Sequence, residues 1–373
     1  MHILNIFAHL AQKINDLIRK TQNSIPSNLL LAFAFGLCLL FAQCKNNTDT
    51  PKNNQSLEDS LAEKYGKGSE VIMQLSTDIA NEPNNAELYY RRALQWARED
   101  NPHRAFNDIE RALQMQPENP LFYFARGEIS FMMDSVSNAM SSFEKAVKLK
   151  PDFTDALIKL GELQMILFQF DESIATFDKV IEIDPLSATA QYYKGRDYLG
   201  KKDTIRAIDS YKKAVEYNND YYDAYIGLGK LYFEKRKLKL AEDYFTNAIR
   251  IKELSAEAYY ARALVYYEAD ALKKAVDDYE MVIRIDPDDY RPYSGVGLIN
   301  YNLDRYEDAV EYYDKALLMN PEYVRGYYYR GLAHMAIGDK ENAIKDFRTV
   351  IKLDDSYNIA KDFLKQLGAK DIN

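Results

Sequence analysis

A strict internal period constrains this chain more than any other feature of its sequence. Eight segments follow one another at intervals of 34 residues and cover residues 86–357 without an insertion or deletion. They begin at Ala86, Pro120, Thr154, Ala188, Tyr222, Ala256, Tyr290 and Val324. A period of this length is typical of stacked supersecondary units. The full length of 373 residues exceeds the size at which single cores stop growing, which also favours a stack of small units.

Small and aromatic residues recur at fixed positions of each repeat, counted from its first residue. Position 8 holds Ala93, Gly127, Gly161, Gly195, Gly229, Ala263, Gly297 and Gly331. Position 20 holds Ala105, Ala139, Ser173, Ala207, Ala241, Ala275, Ala309 and Ala343. Position 24 holds Ile109, Phe143, Phe177, Tyr211, Phe245, Tyr279, Tyr313 and Phe347. Because the apolar spacing is helical on both sides of a polar turn, this pattern predicts two antiparallel helices. The small residues let the helices approach, and the large side chain fills the space beside them.

The ends of the array are expected to differ from its middle. Residues 70–83 resemble the second helix of a degenerate repeat, which we assign to residues 56–85. Residues 358–373 are predicted to form a capping helix and tail, with Ile359, Phe363 and Leu367 on its apolar face. Such caps are expected because one helix pair cannot bury its own apolar face.

The 34-residue period and the small–small–aromatic pattern resemble the tetratricopeptide repeat. The segment YYYRGLAHMAIGDKENAIKDFRTVIKLD at 327–354 is especially similar to the consensus of that family. The resemblance implies an all-α fold, a right-handed superhelical solenoid of antiparallel helix pairs. It would contain eight full repeats, a degenerate N-terminal unit and a C-terminal capping helix. It also implies a concave groove, lined by the first helices, that binds peptides or protein partners.

Transferring the groove positions of this family predicts an aromatic-rich binding face. Position 5 holds Tyr90, Phe124, Ile158, Tyr192, Ile226, Tyr260, Ser294 and Tyr328, and position 12 holds Ala97, Phe131, Met165, Leu199, Phe233, Tyr267, Tyr301 and Met335. The cationic candidates that we include in the binding face are Arg196, Lys230, Arg291 and Arg325. Tyrosine is favoured at binding surfaces because it offers contact area and a polar tip. The alternative is that individual rings pack only against the neighbouring repeat.

Two further patterns bear on this groove. The carboxylate clamp known from this family needs a Lys at position 5 and an Asn at position 9, and no repeat here has that pair. Cations recur at position 7, where they are expected to be structural, with packed aliphatic stems and charged heads in water. They are Arg92, Arg126, Lys194, Arg262 and Arg330.

The N-terminal region carries a targeting pattern. Residues 29–42 form an uninterrupted apolar run, LLLAFAFGLCLLFA, which is shorter than the ~20 residues of a membrane span and fits a secretory signal. The run ends in FAQC, which resembles a bacterial lipoprotein signal although Gln43 departs from the small residue preferred there. We therefore predict a signal peptide at 1–43, lipidation of Cys44 and a polar tether at 44–55. The alternative is an uncleaved signal anchor. Both place the body in the cell envelope, outside the cytoplasm.

Composition narrows the functional classes. A net charge of −9 argues against nucleic-acid binding, which needs a basic face. Both cysteines, Cys38 and Cys44, precede the repeats, so the repeats have no thiolate metal site. No phosphate-binding glycine loop or nucleophile elbow occurs. The sequence thus favours a non-enzymatic scaffold without cofactor or metal. Two alternatives remain, a glycan- or nutrient-binding outer-membrane lipoprotein, disfavoured by the absence of inserted loops, and an enzyme with scattered residues.

Overall fold

The computed structural model describes residues 70–369, which belong to a compact unit formed by residues 68–373. The predicted signal peptide, Cys44, the tether and the start of the degenerate repeat lie outside the described residues. Within residues 70–369 the structure contains eighteen α-helices and no strand, which confirms the predicted fold class. None of these helices is both long enough and apolar enough to span a bilayer.

The helices alternate between two lengths. A single helix, α1 (Glu70–Asn81), precedes the eight pairs. The first helices of the pairs are α2 (Ala86–Arg98), α4 (Pro120–Met132), α6 (Thr154–Ile166), α8 (Ala188–Gly200), α10 (Tyr222–Glu234), α12 (Ala256–Glu268), α14 (Tyr290–Asn302) and α16 (Val324–Ala336). The second helices are α3 (Pro102–Met115), α5 (Val136–Leu149), α7 (Phe170–Ile183), α9 (Thr204–Tyr217), α11 (Leu238–Ile251), α13 (Leu272–Ile285), α15 (Tyr306–Met319) and α17 (Lys340–Leu353). The last helix is α18 (Asn358–Gln366).

The turn between the two helices of every pair is closed by a residue with a left-handed backbone at position 15. In repeat 1, the N–H of Asn101 donates to the carbonyl of Trp96 at 2.9 Å, and the N–H of Asp100 (φ 57°) donates to Ala97 at 3.1 Å. This pair of hydrogen bonds is the Schellman motif. Only repeat 8 has glycine here, Gly338 (φ 85°). The other repeats accept the strain of a left-handed side chain, of order 1 kcal/mol or more each.

The close approach of paired helices occurs where the sequence predicts it. A Cβ added at Gly161 would lie 2.6 Å from the ring of Phe177, well inside van der Waals contact. The same is true of Gly127 against Phe143 at 2.4 Å. The position-24 side chains are at most 3% exposed. The predicted pairing of a small residue with a large buried one is therefore confirmed, and these pairs form the interior of the stack.

Neighbouring helices along the chain pack against each other, and first helices also contact the first helices of adjacent repeats, as α6 contacts α8 and α10 contacts α12. The first helices carry the predicted binding surface. We call the surface formed by positions 2, 5, 6, 9, 12 and 13 of the first helices the groove face. At the C-terminal end, α18 buries Ala360 and Leu364 and stacks Phe363 on Phe347 at 5.1 Å. The expectation for Ile359 is wrong, because this side chain is 57% exposed.

Candidate protein-binding face

The groove face begins with the position-5 rings, each of which packs on its inner side. Phe124 lies 5.8 Å from Phe143, Tyr192 lies 5.7 Å from Tyr211, and Tyr260 lies 5.7 Å from Tyr279, measured between ring centroids. Each partner is the position-24 residue of the same repeat. The position-5 rings nevertheless remain partly exposed. The face is therefore anchored directly to the interior.

A second contact comes from position 34, the residue just before the next first helix. In three repeats this residue is aromatic and packs on the position-5 ring, as Phe153 does on Phe124 at 5.1 Å and Tyr357 does on Tyr328 at 5.2 Å. In repeat 7, where position 5 is Ser294, the Tyr323 hydroxyl instead lies 2.9 Å from the Ser294 hydroxyl. Where position 34 is polar, its side chain caps the next helix, as Ser255 accepts from the N–H of Ala258 at 3.1 Å. Sequence reasoning missed this alternation, although the residue types at position 34 reveal it: Asn119, Phe153, Ser187, Tyr221, Ser255, Asp289, Tyr323 and Tyr357.

The middle of the groove face, in repeats 4 and 5, joins tyrosines to charged side chains of both signs. The Arg196 guanidinium lies 5.9 Å from the ring centroid of Tyr192. Burial raises the pKa of the Tyr192 hydroxyl to about 12, against the opposing effect of Arg196, so this phenol stays neutral. Lys230 binds Glu257 of the next repeat at 2.7 Å. Burial also raises the pKa of Asp223, although Lys252 opposes that rise. The predicted cations here already have partners.

The C-terminal part of the groove face, in repeats 7 and 8, has a different charge. Its groove positions hold Arg291, Ser294, Gly295, Leu298, Tyr301, Asn302, Arg325, Tyr328, Tyr329, Leu332, Met335 and Ala336, with no carboxylate among them. The Arg291 guanidinium pairs with Asp289 at 2.7 Å and lies 4.9 Å from the ring centroid of Tyr260. Arg325 is exposed in the first turn of α16 and forms no ion pair with any described residue. This part of the face can therefore attract acidic groups.

The remaining predicted residues also lie on the groove face, but at separate points along it. Tyr90 stacks on Phe122 of the next repeat at 5.0 Å, and Phe131 is 37% exposed. Phe233 packs beside the core of repeats 4 to 6. The Tyr267 hydroxyl accepts a hydrogen bond from Asn302 Nδ2 at 2.8 Å, and Tyr301 contacts Tyr306 and Tyr329. The predicted set therefore extends from repeat 1 to repeat 8 but skips repeat 3, where Met165 at position 12 is buried.

The recurring cations at position 7 are structural, but the expectation that their heads lie in water is wrong for three of them. Arg92 forms a two-pronged ion pair with Asp108, with both N–O distances at 2.7 Å. Arg262 pairs in the same way with Asp278 at 2.8 Å, and Arg330 with Asp346 at 2.6 and 2.9 Å. The acid always stands sixteen residues later, on the second helix. Because these carboxylates are buried, the ion pairs fasten the two helices of repeats 1, 6 and 8.

One buried acid has no cationic partner in direct contact. Asp197 on α8 is fully buried, and its Oδ2 lies 2.7 Å from the Ser173 hydroxyl of the preceding repeat. Its Oδ1 has no hydrogen-bond partner among the described residues. Burial raises the pKa of Asp197 to about 7. Since Asp197 is buried away from the groove face, we assign it to packing between repeats. Across residues 70–369, no group of three His, Cys, Asp or Glu side chains is arranged to hold a metal ion.

Comparison with known proteins agrees with this architecture. Sequence profiles of the tetratricopeptide repeat match residues 154–185, 192–253, 256–289 and 297–358. No curated protein matches the chain. The C-terminal part of a TPR repeat-containing protein from Cytophaga hutchinsonii is 19% identical, with a TM-score of 0.56 over 65% of this chain and 99% of that one. YrrB, described as a TPR protein with an unusual peptide-binding site, is 24% identical, with a TM-score of 0.46 over 51% of this chain and 98% of its own.

Proposed function

Because this chain belongs to the tetratricopeptide repeat family, we propose that it is a non-enzymatic scaffold that binds a peptide or protein partner on its groove face. The observation that carries the proposal is the strip of partly exposed aromatic side chains at positions 5 and 12, held from behind by the position-24 rings. Rings fixed in this way lose little side-chain entropy on binding, which favours affinity.

The C-terminal part of the strip is the best candidate for the centre of the interface. Arg325 is exposed beside the Tyr328 and Tyr357 pair, and Tyr301 lies one repeat earlier on the same face. Tyrosine and arginine dominate the energetics of protein interfaces. A segment that carries apolar and acidic side chains suits this chemistry. Because no Lys–Asn pair stands at positions 5 and 9, the proposed mode differs from the carboxylate clamp.

Affinity capture from envelope extracts tests this function. Wild-type protein should retain a partner that the double variant Arg325→Glu, Tyr328→Ser loses, because one change repels acidic groups and the other removes an anchoring ring. Arg305→Glu is the matched control, since Arg305 is an exposed arginine before α15 and outside the groove face. Equal retention by both variants would contradict the proposal, provided that their melting temperatures match that of the wild type.

We further propose that the chain is exported and anchored through a lipid on Cys44. The support is the sequence pattern, an apolar run followed by FAQC and a polar stretch. Mass analysis of the N-terminal peptide from membrane-purified protein should show an acylated Cys44 and no residues 1–43. An intact N-terminus with unmodified Cys44 would instead favour the uncleaved anchor. Neither result affects the assignment of the groove face.

A further inference from the structure

The turn between the two helices of repeat 3 exposes three consecutive apolar side chains. Ile166, Leu167 and Phe168 are 41%, 42% and 68% exposed. Phe168 occupies position 15 with φ 60°, a backbone conformation that bulky side chains rarely adopt. An aromatic residue here strains the backbone and buries little surface, so it contributes little to the fold. Large exposed apolar side chains that sit together mark a surface of interaction.

The turns of the next two repeats are strongly basic. Residues 200–206 (GKKDTIR) and 234–240 (EKRKLKL) contain seven Lys and Arg against two carboxylates, in a chain whose net charge is −9. Lys202, Lys235 and Lys237 are exposed and form no ion pair with any described residue. Apolar side chains alternate with these cations, since Ile205 is 79% exposed and Leu240 is 40% exposed.

The apolar turn and the basic turn of repeat 4 are joined by contacts between repeats 3 and 4. Phe168 contacts Phe170 edge to face, with ring centroids 5.9 Å apart. The Phe170 ring lies directly over Gly200, where an added Cβ would come within 2.3 Å of it, and Lys201 forms an ion pair with Asp171. Residues flanking the turns of repeats 4 and 5, Leu199 and Leu238, pack on a shared core. We call residues 166–168, 201–205 and 235–240 the basic edge.

We propose that the basic edge docks on an anionic lipid bilayer. Anionic headgroups attract flexible cations without requiring a fixed acceptor geometry, and apolar side chains at the tips of turns enter the boundary between headgroups and acyl chains. Both components are present here, on three successive turns. Charge complementarity supports this occupant, because residues 200–206 and 234–240 carry seven Lys and Arg against two carboxylates in a protein whose net charge is −9. Four of these cations, Lys201, Arg206, Arg236 and Lys239, form ion pairs, and the other three, unpaired among the described residues, are free to meet headgroups. The proposal is independent of the partner of the groove face and of the state of Cys44.

Hydrogen exchange of the full chain in lipid nanodiscs tests the proposal. Nanodiscs of phosphatidylcholine alone are compared with nanodiscs of equal parts phosphatidylcholine and phosphatidylglycerol, so that any N-terminal anchor is present in both. Exchange in segments 164–170, 200–206 and 234–240 should slow only in the anionic discs, and added salt should reverse the effect. The turn that carries Leu303, 42% exposed and flanked by Asp304, is the internal control and should not change.

Two variants give the proposal a quantitative form. Replacing Lys202 and Lys235 by Gln should lower the equilibrium constant of the lipid-bound state about fivefold for each cation. Phe168→Gly should raise the melting temperature, because glycine accepts the left-handed backbone, and should at the same time reduce protection by lipid. Equal exchange of the three segments in both lipids would overturn the proposal and would leave the basic edge to an acidic protein partner.

Discussion

The position-24 rings and the position-5 rings are made of the same residue types, yet the two regions that they form differ in their surroundings. Phe177 at position 24 is fully buried against the backbone of Gly161, whereas Tyr328 at position 5 contacts other rings and remains partly exposed. The interior is constrained by volume, so a methyl group added at Gly161 would clash with the Phe177 ring. The groove face keeps open surface. The comparison separates residues that specify the fold from those available to a partner.

The largest difference in stability is expected between removing one position-24 ring from the interior and removing one ring from the groove face. Phe177→Ala should destabilise its repeat by about 3–5 kcal/mol, because it creates a cavity in a closed interior. Tyr301→Ala should cost less, about 1 kcal/mol, because that ring is only partly buried, against Tyr306 and Tyr329. Since repeat arrays unfold in parts, hydrogen exchange of each repeat measures the loss better than a single melting temperature. Equal losses would show that the two regions are not distinct.

The interior should also respond to pH in a way that the groove face does not. Burial raises the pKa of Asp197 to about 7, whereas an unfolded Asp titrates near ~3.9. Between these values the folded state binds the proton and the unfolded state does not, so stability falls as pH rises from about 4 to about 7. The decrease should be roughly 3 kcal/mol. Urea unfolding across this pH range measures it, and Asp197→Asn should flatten the dependence. An unchanged slope in that variant would assign the effect to other groups.

A smaller effect tests the packing of glycine on the rings. Gly161→Ala should lose about 1–2 kcal/mol, although alanine is the better helix former, because the new methyl group meets Phe177 at 2.6 Å. Ala263→Gly in repeat 6 is the matched control, since that repeat already has alanine at position 8. It should lose the helix propensity, ~1 kcal/mol, and the packing of one buried methyl group, about 0.8 kcal/mol, but should meet no clash. A stabilised Gly161→Ala variant would show that the ring moves aside.

A modest effect on stability should accompany the largest effect on binding. The double variant Tyr267→Ala, Tyr301→Ala should lose about 2 kcal/mol of stability, one for each partly buried ring, yet bind a captured partner at least tenfold more weakly. Tyr279→Ala, in the interior of repeat 6, should do the opposite and destabilise the repeat. Calorimetric titration and urea unfolding of the same samples give both numbers. If both variants lose binding only in proportion to stability, the groove face has no role of its own.

The boundaries of the repeats and their close helix pairs were predictable from sequence, because they depend on residue spacing and side-chain volume. Gly161 and Phe177 show this, since small and large residues at fixed separations suffice to predict a close helix pair. The ion pair of Arg330 with Asp346 was not anticipated, because sixteen residues and an intervening turn separate the partners, and its geometry depends on how both helices face each other. The left-handed Phe168 was equally hidden, since nothing in its residue type favours that conformation.

For the groove face, sequence predicted which residues share a surface but not the contacts that those residues make. Tyr192 and Tyr328 lie where the family register puts them, yet their second ring contacts come from position 34, which that register does not include. Lys230 was expected as an available cation and is paired with Glu257. Such pairings depend on rotamers and on the neighbouring repeat, so spacing alone cannot reveal them. Which groove residues bind a partner stays a prediction.

Site-specific photo-crosslinking in living cells tests the central claim most directly. p-Benzoylphenylalanine is incorporated in place of Tyr301 on the groove face or, as a control, in place of Leu318, which is 74% exposed on the second helix of the same repeat. Position 301 should give a discrete adduct with a partner protein that disappears in the Arg325→Glu background, and position 318 should not. Adducts of equal yield at both positions, or at neither, would contradict a binding function of the groove face.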